Sequence, residues 1–457
     1  MPKEFLLATR VTRSLSWLNT LQIRSLSTVA AALVVWLIGI HLTWLPDTFW
    51  SRGITLAVLV LVLVFTATSW HRKASARFGV GILVIVAGLA SVSDLEFSPI
   101  EGIGAFDTVI LLLLGIGVLR TYLEKQNVAT IIEKALGHSW LSNKPRLLFL
   151  LYGGMTFFLS LAVVPIVGTL TRKTALDYRQ HLRIAMRAVG GTMFLAPTTV
   201  GAAAVSVMFP SLPWMHVLLM GLPLALATAL LTRSGPHTKA LPSISHTAET
   251  TELNLGLPIF LFLGILVLSQ GVLGQATVTS VALAITIAGI GSMIYRYGVL
   301  SAFKAIHSTF HRSGAEILLF LACGTLQASL ARLGADNLEQ MVPLALSEHL
   351  TSTTVFAFVV IGGLPLLTIL GIHPMILFAG FFPLFHPFAN ADPALEYLIW
   401  IAMFVVAQLV SPVSISAVTA AASIGAAPWT VSLASHGRFA LAFTGLCVAY
   451  FTIISLI

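Results

Sequence analysis

The stretch SPVSISAVTAAASIGAAPW, residues 411–429, places a proline and several hydroxyl side chains inside an otherwise apolar segment. A similar stretch, APTTVGAAAVSVMFPSLPW, occupies residues 196–214. In each stretch a proline opens a run of small residues, and a tryptophan follows that proline 17 positions later. The two pairs are Pro197 with Trp214 and Pro412 with Trp429. Because proline interrupts an apolar helix, the duplication predicts two related units that each contain a broken helix.

The composition restricts the class of protein. Of the 457 residues, 57% are hydrophobic and only 9% are charged, whereas a water-facing surface needs roughly a quarter of its residues charged. Cys323 and Cys447 both lie in apolar runs, so we expect neither a disulfide nor a metal site. The net charge of +8 does not indicate nucleic acid as a partner, because the basic residues follow a membrane pattern. The sequence predicts an all-α polytopic membrane protein without a cofactor.

Apolar runs of about 20 residues predict transmembrane helices. The eleven predicted spans are 27–44, 54–70, 78–92, 104–124, 184–212, 214–232, 256–272, 276–297, 313–333, 395–425 and 432–456. Two further apolar segments, 147–171 and 353–388, contain proline and glycine near their middles. We interpret these two segments as re-entrant hairpins that return to their own side of the membrane.

The basic residues predict the orientation. With the N-terminus in the cytoplasm and both hairpins re-entrant, 23 of the 25 Lys and Arg residues fall inside, leaving Arg52 and Arg332 outside. The acidic stretches 93–102, 334–340 and 390–396 fall outside. The positive-inside rule therefore predicts a cytoplasmic N-terminus and an external C-terminus.

The second half of the chain repeats the order of the first. LLLLGIGVLRTYLEK (111–125) is similar to LFLACGTLQASLARL (319–333), and each is followed by a hairpin, a broken helix and a final helix. Opposite orientations of the two copies predict an inverted-topology repeat. The predicted units are a cytoplasmic tail with the leading helix (1–53), repeat 1 (54–235), a cytoplasmic linker (236–255) and repeat 2 (256–457). The alternative is that small-residue membrane helices resemble one another by composition alone.

Broken helices in inverted-repeat proteins provide polar backbone groups near the bilayer midplane. A proline at the start of the second half-helix lacks an N–H that would have no partner there. Nearby hydroxyls cap the half-helix, and its positive end favours an anion. The sequence therefore predicts an anion site where the two breaks and the two hairpin tips meet.

Four short segments resemble the ion transporter superfamily, which includes divalent anion/sodium symporters, arsenite exporters and related organic anion carriers. They are FLSLAVVPIVGT (158–169), LAPTTVGAA (195–203), LTILGIHPMILFAGF (367–381) and LVSPVSISAVTAA (409–421). The resemblance implies an elevator mechanism, in which hairpins and broken helices slide against a scaffold that forms a homodimer. Symporters of the best-known branch of this superfamily carry Ser-Asn-Thr at both hairpin tips, and this chain has no Asn in the four segments.

The candidate binding residues are the polar side chains at these tips and breaks. They are Ser160, Thr198, Thr199, Thr368, His373, Ser411, Ser414 and Ser416. The alternative for the hydroxyls is a bond to the preceding helical turn, and for His373 a satisfied core histidine. We expect Thr199→Ala or Ser414→Ala to abolish solute binding without affecting folding.

Three further residues are titratable and lie near predicted spans. His373 is a candidate proton carrier because histidine titrates near neutral pH. Asp107 and Glu316 open equivalent helices of the two repeats, so they are candidates for proton coupling or solvated acids at helix N-termini. Arg183 and Arg187 precede the first break, where anionic lipid or the positive-inside bias explains them.

The function that fits these observations is a secondary transporter of a small anion, an organic carboxylate or sulfonate, driven by Na⁺ or H⁺. The alternatives are a cation/proton antiporter or inorganic oxyanion exporter of the same fold, a membrane-embedded enzyme, and a channel. An enzyme would need clustered acids, His or Arg at a membrane face, and the low charge content disfavours it. The expected partners are the solute and membrane lipid, in a bacterial inner (plasma) membrane.

Overall fold

The computed structural model describes residues 73–92, 102, 104–126, 144–173, 178–232, 256–341 and 349–456, and these contain helices and no strand. In the first half the helices are α1 (Ala74–Val92), α2 (Asp107–Lys125), α3 (Pro145–Leu159), α4 (Val163–Lys173), α5 (Tyr178–Met193), α6 (Val200–Val207) and α7 (Trp214–Leu231). In the second half they are α8 (Gly256–Val267), α9 (Thr277–Tyr297), α10 (Val299–Met341), α11 (Thr353–Ala357), α12 (Leu364–Ile369), α13 (Pro374–Phe385), α14 (Pro393–Val410), α15 (Ile415–Ile424), α16 (Pro428–Val431) and α17 (Leu433–Ile454).

Six helical segments in this part of the chain are long and apolar enough to cross a bilayer, judged by length and composition. They are Pro145–Thr171, Trp214–Leu231, Thr277–Tyr297, Val299–Leu333, Pro393–Ile424 and Pro428–Ile454. The polytopic, all-helical class is therefore confirmed. The tail and spans within 1–70, and the linker 236–255, lie outside the described residues. The count of eleven spans, the inverted repeat and the orientation stay predictions.

Helix α14 occupies the centre of the molecule. Every one of its residues after Pro393 is buried, although an ordinary surface helix buries only one stripe. It packs against α5, α6, α12 and α17. By contrast, α7 exposes a row of leucines, among them Leu219, Leu226 and Leu230, as expected of a helix that faces lipid. The C-terminal end of α14 therefore lies in the middle of the protein.

The first predicted hairpin has its turn at Ser160, whose φ of 48° makes it a non-glycine residue with a left-handed backbone. Eight residues earlier, the Tyr152 hydroxyl contacts His181 Nδ1 at 2.7 Å. Eight residues later, Gly168 lies against the side chain of Leu182, in the same turn of α5. A straight helix would separate Tyr152 and Gly168 by about 24 Å along its axis. The two arms therefore fold back toward one another.

The second predicted hairpin turns between α12 and α13, where Gly371 has a φ of +99°. A glycine suits this turn because a left-handed φ strains other residues. Phe356 lies on the first arm and Phe378 on the second, and both rings contact Trp400 of α14, with centroids 6.2 and 5.6 Å away. The arms therefore close around α14. Whether either hairpin is re-entrant in a membrane stays a prediction.

Both predicted helix breaks are present. The first separates α5 from α6 over 194–199, and the second separates α14 from α15 over 411–414. The expected place of the prolines was wrong: Pro197 and Pro412 lie two residues before the N-caps Thr199 and Ser414, not in the first turn of the half-helix. The restricted φ of each proline shapes the connection instead of the helix start.

Segments assigned to one membrane side by their charges also meet in the structure. Arg312 on α10 lies 3.4 Å from Glu124 on α2, and Lys73 lies 3.7 Å from Glu316. Lys73 also donates to the carbonyl of Arg312. Since Lys73, Glu124 and Arg312 belong to three segments predicted to lie inside, these contacts agree with the predicted topology.

Candidate functional site

A cavity of about 400 Å³, counting its open mouth, lies where the two hairpin tips and the two helix breaks meet. Its lining residues are Leu161, Val200, Gly201, Phe320, His373, Pro374, Met375, Phe404, Gln408, Ser414, Ile415 and Ser416. Leu161 comes from the first tip and His373 from the second, while Val200 and Ile415 follow the two breaks. The four segments singled out in the sequence thus contribute to one site.

Three helices begin at this cavity. Its lining includes the first two residues of α6, α13 and α15. The first N–H groups of a helix have no partner within it, and the aligned peptide dipoles make that end positive. Three such ends lie at the cavity, and this arrangement favours a negatively charged group there.

The N-caps of these helices were largely predicted. The Thr199 hydroxyl accepts from the N–H of Ala202 at 3.3 Å, and the Ser414 hydroxyl accepts from Ala417 at 3.2 Å. Each cap therefore bonds the N–H three residues on, and each lies two residues after its proline. The two breaks consequently share local geometry as well as sequence.

His373 is the N-cap of α13. Its Nδ1 accepts from the N–H of Met375 at 3.2 Å. Because a neutral imidazole has one donor and one acceptor nitrogen, this bond assigns the ring proton to Nε2. Nε2 is buried and has no hydrogen-bond partner among the described residues. His373 therefore presents a fixed, neutral N–H donor at the cavity.

Gln408 provides the other nitrogen donor. It lies in the last turn of α14, and its Nε2 is buried and unpartnered within the described part of the chain. Its backbone carbonyl accepts from the Ser414 hydroxyl at 2.8 Å and from the Ser416 hydroxyl at 3.4 Å. The two serines thus satisfy a backbone carbonyl at the broken end of α14, while the side-chain N–H groups of Gln408 have no partner among the described residues.

Two of the predicted binding hydroxyls have no hydrogen-bond partner in the described part of the chain. Ser160 Oγ and Thr198 Oγ1 are both buried and make no hydrogen bond to the described residues. Ser160 immediately precedes the lining residue Leu161, and Thr198 lies in the first break. A buried polar atom without a partner costs about 1–3 kcal/mol. His373 and Gln408 line the cavity, and Ser160 and Thr198 lie one and two residues along the chain from the lining residues Leu161 and Val200.

Thr368 and Ser411, like Thr199, make structural bonds and are not among the lining residues of the cavity. Thr368 is buried in α12 and donates to the carbonyl of Pro365 at 2.6 Å. Ser411 ends α14, and its Oγ accepts from the N–H of Val413 at 3.3 Å. Both bonds are the local type expected if these residues shape the hairpin arm and the break.

The predicted proton-coupling acids are not among the lining residues of the cavity. Asp107 opens α2 as expected, and its Oδ1 accepts from the N–H of Thr108 at 2.6 Å. Glu316 does not open a helix, because α10 is continuous from Val299 to Met341. It lies beside Lys73 instead. Of the three predicted coupling residues, only His373 contacts the site, and proton coupling stays a prediction.

The sequence reasoning missed Gln408, Phe404 and Phe320. Gln408 could have been found, because it is an amide in a helix that is otherwise almost wholly apolar and it lies three residues before the second break. The two phenylalanines resemble every other aromatic residue in an apolar run, and only the packing of α10 and α14 brings them to the cavity.

No protein-family model matches the chain, and no curated protein matches it. Among solved structures, the chain is similar to the YdaH transporter of Alcanivorax borkumensis, whose crystal structure is described as revealing an unusual topology. The TM-score is 0.50 with 13% sequence identity, over 83% of this chain and 98% of the YdaH chain. The likeness shows a shared fold, and together with the apolar helices it identifies a multi-pass membrane protein.

Proposed function

We propose that the protein is a secondary active transporter that binds a small organic anion, a carboxylate or sulfonate, in the cavity between the hairpin tips. The observation that carries this proposal is the set of hydrogen-bond donors without partners at this cavity. His373 Nε2 and Gln408 Nε2 are buried without partners in the described chain, and three helix N-termini begin at the same place. Such groups replace the hydration shell of an anion.

The lining also favours an organic solute. No Asp or Glu is among the lining residues, whereas a cation/proton antiporter needs an acidic group at its site. Leu161, Phe320, Phe404 and Met375 give the cavity apolar walls. A bare inorganic oxyanion has no apolar part to bury against them, so the lining supports a carboxylate or sulfonate that carries a carbon skeleton.

The same arrangement supports alternating access by an elevator motion. Both hairpins pack against the broken helices: α4 against α15, and α12 against α14. The hairpin and broken-helix elements would move as one body against the scaffold. We include in the proposal a homodimer and coupling to Na⁺ or H⁺, in line with the family resemblance. The fold shared with the YdaH transporter agrees with a transport role.

The test is a binding assay on the detergent-purified protein. Its melting temperature is measured with carboxylates, sulfonates and inorganic oxyanions, with and without Na⁺, at pH 5.5 and 7.5, because a ligand that prefers the folded state raises it. We expect an organic anion to raise the melting temperature, and Gln408→Met to reduce the shift. A panel in which no anion alters the wild-type melting temperature contradicts the proposal.

A further inference from the structure

A second and larger cavity, of about 1050 Å³ with its open mouth, lies between α5 and the segment that joins α15 to α17. Arg179 and Arg183 line one side, and Thr430 and Ser435 line the other. The charge distribution places 171–187 and Arg438 on the same side of the membrane. Their elements meet here, which agrees with that prediction.

Positive charge accumulates at this cavity. Arg183 lies one turn before Arg187, whose guanidinium lies 4.3 Å from the centre of the Phe439 ring and whose Nε donates to His436 Nδ1 at 3.4 Å. Within the described residues, neither Arg183 nor Arg187 forms a salt bridge with an acidic side chain. Two arginines held close together without an acidic partner in the described part of the chain attract an anion.

The hydroxyls of the cavity are already in use. The Thr430 hydroxyl donates to the carbonyl of Ala427 at 2.7 Å, and the Ser435 hydroxyl donates to the carbonyl of Thr430 at 2.6 Å. They make the wall polar but have no proton left to donate to a ligand. The donors that remain for an anion are the guanidinium N–H groups of Arg183, which can pair with two oxygens of a carboxylate, sulfonate or phosphate through parallel bonds.

This cavity is separate from the central one. Helix α15 borders both cavities. Ile415 and Ser416 line the cavity between the hairpin tips, which we call the central cavity. Ile424 lines the cavity that contains Arg179 and Arg183, which we call the arginine cavity. Ile415 and Ile424 are nine positions apart, which corresponds to about 14 Å along the helix. A single small anion cannot occupy both cavities, so an anion bound in the arginine cavity would occupy a separate site.

We propose that the arginine cavity is a second anion site that binds an oxyanion group, with Arg183 as its principal cation. The oxyanion belongs to a free carboxylate, sulfonate or phosphate, or to the phosphate of an anionic lipid. Both sources present the same chemistry to the guanidinium. The inference does not depend on the proposed transport function, because it rests on different residues.

The test uses three arginine variants in the full chain. Arg183→Gln removes the charge, Arg183→Lys retains it, and Arg438→Gln is the matched control, since Arg438 is an exposed arginine on α17 that does not line the cavity. Each is also combined with Gln408→Met, which weakens binding at the central site. Melting temperature against sulfate and phosphate at constant ionic strength reports free anions. Native mass spectrometry from phosphatidylglycerol or phosphatidylcholine nanodiscs reports retained lipid.

We expect Arg183→Gln to weaken the anion response about tenfold, as loss of a charge-assisted hydrogen bond does. Arg438→Gln should respond as wild type does, and Gln408→Met should leave the response in place. Arg183→Lys keeps the charge but loses the paired N–H bonds, so its response should lie between those of wild type and Arg183→Gln. Loss of the sulfate and phosphate response indicates a free anion, and selective loss of retained phosphatidylglycerol indicates a lipid headgroup. Equal responses of wild type and Arg183→Gln in both assays overturn the proposal, even if the central site binds its solute.

Discussion

The Nδ1 atom of His373 accepts a hydrogen bond from the backbone N–H of Met375 at 3.2 Å, and this bond determines what the histidine offers to a solute. An imidazole whose Nδ1 is an acceptor is neutral and carries its proton on Nε2. Protonation of Nδ1 would remove the cap of α13 and leave the N–H of Met375 without that partner. The geometry therefore favours His373 as a fixed donor over His373 as a proton carrier.

Substitutions at His373 should separate its capping role from its binding role. His373→Asn retains a good N-cap but does not reach as far into the cavity, so we expect near-wild-type stability and about tenfold weaker anion binding. His373→Ala should weaken binding similarly and also lower the free energy of unfolding by about 1 kcal/mol. Melting temperatures and anion dissociation constants of the two variants check this. Wild-type affinity in His373→Asn would remove the histidine from the site.

The amide of Gln408 should contribute to binding through its N–H donors. Gln408→Met retains the size of the side chain and removes the donors, so anion affinity should fall about tenfold. Gln408→Glu should weaken binding further at neutral pH, because an ionised carboxylate repels the solute. A falling pH protonates that carboxylate and should restore part of the affinity. The check is the dissociation constant of both variants at pH 5.5 and 7.5.

Thr419→Ala is the matched control for Gln408, since Thr419 lies on α15 and its hydroxyl bonds the preceding turn at Ile415. It should leave affinity and pH dependence as in wild type. If Gln408→Met and Thr419→Ala bind equally well, Gln408 is only a packing residue.

The breaks and tips could be predicted because proline, glycine and hydroxyl residues have strong local effects on a helix. Pro197 and Pro412 with their following hydroxyls indicated two capped half-helices, and both caps are present. Capping hydrogen bonds of this kind can be predicted from a sequence because they join residues within one or two helical turns of one another.

Features that depend on packing could not be predicted from the sequence. Glu316 was placed at a helix start because an apolar run begins near residue 313, but the polar helical segment before it continues without a break. The boundary of an apolar run marks a change of surroundings and not the end of a helix. Likewise, the arginine cavity exists only because α5 packs near α16 and α17, which are far from it in sequence.

The N-cap hydroxyls should contribute to stability, contrary to the expectation that their removal leaves folding intact. Thr199→Ala and Ser414→Ala each remove a cap and should lower the free energy of unfolding by about 1 kcal/mol. Thr199→Ser keeps the capping oxygen and should keep most of the stability. Thermal unfolding of the three variants in the same detergent is the measurement. If the alanine variants have the same melting temperature as the wild type, the caps do not stabilise these helix ends.

The backbone at Ser160 allows its hydroxyl to be tested without loss of stability. Its φ of 48° is unfavourable for a residue with a side chain, so Ser160→Gly should match or exceed the thermal stability of wild type. The same substitution removes the unpartnered Oγ. If that hydroxyl contacts the solute, anion affinity falls while stability does not. Ser160→Val, a β-branched residue in a left-handed conformation, should lower both. A Ser160→Gly variant that binds as tightly as wild type would show that the first hairpin tip contributes its shape to the cavity and not its hydroxyl.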